Sequence, residues 1–221
     1  MFLLPYLVDV PMSRWPITNF LLIAVTVSLF AAIKAGFVPP QAVDPYILRL
    51  GVPNGIYGHI FLHFGYLHLF GNMMFLWVFG NAVCAKIGNL AYVIVYLVLG
   101  CVAGITHLFI SGDPAIGASG AVNGIVGMYL VLYPLNNVSC FYWFFIRIGS
   151  FYLSGVWIIL FGLAFDVYGA LHGGGHVAYW AHLGGFATGF LIAALLLYSG
   201  LVQMTSTERS LVDMLRDESR G

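Results

Sequence analysis

A serine set among glycines, Ser119 in "GASGAVNGIVG" (117–127), is the first residue of this chain whose setting suits chemistry. A hydroxyl is a weak nucleophile until a base removes its proton. Histidine suits that task because it titrates near neutrality, and His182 in "AHLGGFATGF" (181–190) is the candidate. Serine also caps helices and packs between them in membranes, so the motif alone leaves both readings open. A carboxylate that orients the imidazole is the usual third member. The outward acids Asp44, Asp113 and Asp166 stand at no spacing that argues for that role, so a dyad without a carboxylate is expected. Acyl transfer also needs donors aimed at the developing oxyanion. His68 and Asn72, at i and i+4 in "YGHIFLHFGYLHLFGNMMFLW" (57–77), stack on one helical face, and either can donate, as can the backbone N–H of Ser119. A hydrogen bond between helices explains Asn72 equally well.

His59 and His63 could share a face as metal ligands do, but no cysteine or carboxylate stands at supporting spacing. Hydrogen bonding within their own connection is the expectation for both, and neither metal nor cofactor is expected. Cys84, Cys101 and Cys140 lie in apolar surroundings at no metal-ligand spacing, and an odd count is no disulfide framework.

The elements that must position these residues lie in a bilayer. Of 221 residues, 61% are hydrophobic and 7% charged, against about 25% charged in soluble domains. The mean hydropathy is +0.96. Eight basic residues balance eight acidic ones, which removes any electrostatic case for a nucleic-acid partner. Apolar runs predict six spans, over residues 17–35, 66–85, 90–110, 119–134, 150–168 and 177–199, with a long broken connection between the first two. The segment "SCFYWFFIRIG" (139–149) reads as an inner-face amphipathic stretch with Arg147 snorkelling to the interface. The start "MFLLPYLVDV" lacks the marks of a cleaved signal peptide. One membrane domain over residues 1–200 and a short polar tail over 201–221 are expected. Arg14, Lys86, Arg147, Arg209, Arg216 and Arg220 fall on one side, Lys34 and Arg49 on the other, which predicts both termini in the cytoplasm.

Depth brings the serine and histidine together. A helix from Ser119 to Tyr133 is roughly 22 Å long, against a hydrocarbon core of about 30 Å. Its outer end therefore stops about 8 Å short of the outer interface, beside water that satisfies the preceding loop. His182 lies roughly 8 Å inside its own span. Gly120, Gly124 and Gly127 thin one side of the serine helix, and Gly185 and Gly189 offer a matching face three residues beyond His182.

These residues resemble one family, the rhomboid intramembrane serine proteases. "GASG" matches the family's GxSG motif, "AHLGGFATG" its AHxxGxxxG motif, and "HIFLHFGYLHLFGN" (59–72) its HxxxHxxxxHxxxN pattern, in the family's order and over nearly the whole chain. The resemblance implies an all-α membrane protein with a six-helix rhomboid-like bundle. It implies Ser119 as nucleophile, His182 as general base, His68, Asn72 and the Ser119 N–H as oxyanion stabilisers, and His63 as a structural residue. Three departures stand out. Asn123 occupies a position where some members place a tyrosine against the histidine, the Trp-Arg pair of the first outer loop is absent, and Cys84 replaces a common glutamate.

The expected function is intramembrane serine endopeptidase, cleaving transmembrane protein substrates near the outer face of the bilayer. A bacterial inner (plasma) membrane is the expected location, and no oligomeric state is readable. The alternatives are a catalytically inactive rhomboid-like client binder, which would lack the serine or histidine, and a small transporter, which would need an internal repeat. The glycine-dense "GALHGGGHV" (169–177) is expected to form a mobile lid, and the bulky fifth span is compatible with a lateral gate or with plain lipid contact.

Overall fold

The computed structural model describes residues 2–173 and 177–218. Five of its helices are long and apolar enough to cross a membrane: α1 (Ile17–Lys34), α2 (Tyr66–Ile87), α3 (Asn89–Ile110), α5 (Gly155–His172) and α6 (Tyr179–Tyr198). Between α3 and α5 lies the shorter α4 (Ser119–Leu132), whose 14 residues are mostly buried. This shortest apolar helix is the most buried, with the longer ones packed around it. Gly117 and Ala118 precede α4, and its C-cap Tyr133 is followed by Pro134, which cannot continue a helix.

The glycine faces meet as their spacing predicts. A Cβ on Gly185 would lie 2.0 Å from the Gly120 carbonyl oxygen, and one on Gly189 would lie 1.8 Å from that of Gly124. The α4 and α6 backbones are thus in direct contact, which only glycine permits. A second junction is polar. Residues Leu76–Gly80 widen α2 into a π turn, and Asn19 of α1 donates to the Leu76 carbonyl (2.9 Å) and to Asn81 Oδ1 (2.8 Å). Asn19 Oδ1 in turn accepts from the Tyr92 hydroxyl of α3 (2.7 Å), so one fully buried amide ties three helices together.

The expected all-α architecture needs a correction. The chain is mostly helical, but β1 (Phe2–Val8), β2 (Asn137–Phe144) and β3 (Arg147–Ser154) form a three-stranded antiparallel sheet in the order β1-β2-β3. The stretch read as an amphipathic inner segment is a hairpin, with Phe144 opposite Arg147 and a two-residue turn at Phe145-Ile146. Val138, Ser139 and Cys140 are buried in succession, so what marks the segment as a strand is its residue-by-residue pairing with β1 and β3. The helix expected over 150–168 consequently runs from Gly155 to His172.

The tail folds back onto the bundle. Helix α7 (Leu211–Glu218) follows a turn that buries Glu208 against Lys86 at the end of α2. Glu208 also accepts from the Thr205 N–H (2.8 Å) and the Tyr133 hydroxyl (3.3 Å). Burial works against the Glu208 charge, but the Lys86 ammonium and the Thr205 donors outweigh it and hold the carboxyl below its ordinary value. Glu208→Ala would strand a buried ammonium, at a cost of about 3–5 kcal/mol, whereas a Lys86→Met/Glu208→Leu pair should recover most of it. Because the folded-state pKa is depressed, this stabilisation is complete above the ordinary value of 4.5 and disappears as pH falls through the lower folded value. Thermal melting in detergent against pH reads both effects.

Candidate active site

Ser119 is the first residue of α4, with Ala118 as N-cap. The first intrahelical bond of this turn is Val122 N–H to the Ala118 carbonyl (2.9 Å). The N–H groups of Ser119, Gly120 and Ala121 therefore point out of the open, electropositive end of the helix. Gly117 shapes the approach. Its φ of +134° excludes ordinary side chains, and a Cβ there would lie 2.8 Å from His68 Nε2 and 3.7 Å from Ser119 Oγ. The space a side chain would fill is thus bordered by the candidate nucleophile and a candidate oxyanion donor.

The connection between α1 and α2 braces this loop. Leu48 and Ala115 exchange two backbone hydrogen bonds of 3.1 Å, and the Gly117 N–H donates to the His59 carbonyl (2.9 Å). The His59 ring donates from Nδ1 to the Gly55 carbonyl (2.8 Å), the local hydrogen bonding expected of it. Burial pushes the His59 pKa below its ordinary value. His63 is buried with its ring centroid 5.1 Å from that of His68. Burial first, and the neighbouring His68 second, push its pKa down to about 4, so it is neutral at physiological pH. Among the described residues no cluster of three His, Cys, Asp or Glu side chains could hold a metal ion.

His182 comes to the same place from α6. Ala181, its neighbour, approaches Gly120, the neighbour of Ser119: a Cβ on Gly120 would lie 3.4 Å from the Ala181 carbonyl oxygen. His68 on α2 and His107 on α3 both interact electrostatically with His182. Asn72 is buried one turn beyond His68, and its Nδ2 has no hydrogen-bond partner among the described residues. Asn123 donates from Nδ2 to the Ser119 carbonyl (3.0 Å), so its amide supports the first turn of α4.

The expectation of an imidazole without a carboxylate fails. His182 Nδ1 lies 2.8 Å from Asp166 Oδ1 on α5, with both side chains largely buried. The pair is 16 residues apart across a chain reversal, so no helical spacing announces it. The one signal available was an unpaired acid inside an apolar span, which requires a partner. His107, buried in the last turn of α3, was not among the candidates read from the sequence. The segment read as a lid lies partly outside the described residues. Its described part carries α5 to His172, whose ring stacks on Tyr168 at 4.2 Å.

A Rhomboid domain model matches residues 53–199. Rhomboid protease GluP of Bacillus subtilis (strain 168) is 33% identical over 137 residues, covering 62% of this chain and 25% of that protein. Rhomboid protease GlpG of Klebsiella pneumoniae subsp. pneumoniae is 29% identical over 137 residues, covering 62% and 46%. Rhomboid protein 1, mitochondrial, of Saccharomyces cerevisiae is 31% identical over 147 residues, covering 62% and 40%. The chain spans less than half the length of these relatives. The matched region runs from the turn that braces the Ser119 loop to the end of the His182 helix, and on that match over more than half its length the chain belongs to the rhomboid family.

Proposed function

We propose that this chain is an intramembrane serine endopeptidase that cuts transmembrane protein segments near the outer face of the bilayer. The observation that supports the reading is the backbone contact of α4 and α6, which joins Gly120, the neighbour of Ser119, to Gly185, three residues beyond His182. Ser119 attacks the scissile carbonyl while His182 takes its proton. His68, the Asn72 amide, whose Nδ2 has no hydrogen-bond partner among the described residues, and the Ser119 N–H receive the oxyanion. His182 returns the proton to the leaving amine, and water, activated by the same imidazole, releases the acyl-enzyme. A substrate helix must unwind before its carbonyl can be reached, since its backbone is bonded internally.

In this reading α4 is a sixth, shortened span. Both termini are cytoplasmic, in line with the grouping of Arg14, Lys86, Arg147 and Arg209 away from Lys34 and Arg49. A non-catalytic client binder has less support, because such proteins lack the serine or histidine that this chain keeps. The test is chemical. A fluorophosphonate should label the detergent-solubilised protein once, at Ser119, and labelling should disappear in Ser119→Ala. A folded protein that stays unlabelled overturns the reading.

A further inference from the structure

Asp166 is the sole charged residue in the sequence of α5, "GVWIILFGLAFDVYGALH". A carboxylate in such a segment is costly unless it meets a partner. The buried residues of α5 are Gly155, Ile159, Asp166 and Gly169, spaced so that they share one stripe. Asp166 thus lies on the face that α5 turns to the bundle, away from lipid. One turn on, a Cβ at Gly169 would lie 2.4–2.5 Å from ring atoms of Tyr179, so the ring fills the space that a side chain would take and draws α5 against α6. Tyr179 also meets the ring of Phe165 (6.3 Å) and, edge-on, that of His182 (6.2 Å). The Asp166 carboxylate is held at the imidazole by packing on either side of it along the chain.

We propose that Asp166 is the positioning residue of His182, so that the nucleophile is served by a carboxylate-oriented base. This rests on the reading of Ser119 and His182 given above. An ionised carboxylate only accepts hydrogen bonds, so the 2.8 Å contact assigns the proton to Nδ1. Nε2 then carries the lone pair that receives the Ser119 proton. When that proton arrives, the imidazolium lies beside a fixed negative charge in a poorly screened environment, where the attraction is strong. The proton travels from Ser119 Oγ to Nε2 and on to the leaving amine, and none passes to the carboxylate.

The other groups facing His182 are Tyr179 on its own helix, His68 on α2, His107 on α3 and the Ser119 end of α4. All are present in both wild type and an Asp166 variant, so a comparison isolates the carboxylate. Asp166→Asn should lower kcat on a transmembrane peptide by about a hundredfold or more, since the amide no longer selects the tautomer. KM should stay nearly constant. The acidic limb of the pH–rate profile should move, because the anion beside the imidazole is gone. Asp166→Glu should restore part of kcat and return the acidic limb towards its wild-type position. A helix pin with no part in catalysis would lower melting temperature and leave the profile where it was.

Nitrogen NMR of the wild-type protein, with His182 assigned by its loss in His182→Ala, reads the tautomer directly and needs no Asp166 variant. Protonation at Nδ1 in the neutral ring is expected, and protonation at Nε2 overturns the proposal. So does an Asp166→Asn protein that cleaves at the wild-type rate with an unmoved profile while Ser119 still reacts with fluorophosphonate. Absence of Ser119 labelling in wild type would instead sink the hydrolase reading itself.

Discussion

Ser119→Ala and His182→Ala are each expected to reduce kcat for cleavage of a transmembrane peptide by on the order of 10³–10⁶-fold, and the double variant to lose no more than the worse single one. The reason is that the two side chains act in one event. Without the hydroxyl there is nothing for the imidazole to deprotonate, and without the imidazole the hydroxyl stays a poor nucleophile. Losses in series would multiply only if the residues served separate steps. KM should change little, because a substrate helix is held by surfaces other than these two groups. Kinetics on a fluorogenic transmembrane peptide in proteoliposomes measures all three variants. A double variant many orders below either single one would contradict the shared step.

Gly189→Ala is the second large effect, and it acts through the fold. The added methyl would lie 1.8 Å from the Gly124 carbonyl oxygen, 2.6 Å from its carbon and 2.9 Å from its Cα, where ordinary contact begins at 3.4 Å. All three obstacles are backbone, so no rotamer change relieves them, and α6 must move away from α4 by more than 1 Å. Overpacking of this kind costs about 3 kcal/mol or more. It also widens the gap between the helices that carry Ser119 and His182, and a displacement near 1 Å costs about 10²-fold in rate. Gly162→Ala is the control. Nothing lies within 4 Å of its Cβ position, and alanine in a helix interior is favoured over glycine by about 1 kcal/mol. Thermal unfolding and cleavage rates should separate the two alanines clearly.

What the sequence revealed of the site follows from how local each signal was. The short α4 was legible because Pro134 and the glycine-rich approach bound a short apolar run. The seam between α4 and α6 was legible because both glycine sets obey helical spacing. Asp166 is not legible as the partner of His182, since that link depends on how α5 packs and on no interval along the chain. Asn19 was invisible for the same reason: its partners at Leu76, Asn81 and Tyr92 lie 57, 62 and 73 residues away.

The hairpin misled for a different reason. Apolar strands beside a membrane read as the start of a span, and its turn lacks the glycine or asparagine that usually marks one. Phe145 instead adopts a φ of +53°, which its sequence neighbours give no cause to expect. The pairing of β1 with β2 joins residues 130 or more positions apart, such as Leu7 with Ser139, and no local pattern encodes it.

The bracing of the Ser119 loop bears on portability. Gly117 is tied to His59, Ala115 to Leu48, and the His68 ring occupies the space a side chain at Gly117 would claim. A graft of the four residues "GASG" onto another helical scaffold would therefore import the hydroxyl without its cradle. The smallest transplantable unit includes the stretch from Leu48 to His68, and an engineer who omits it should recover an inert serine.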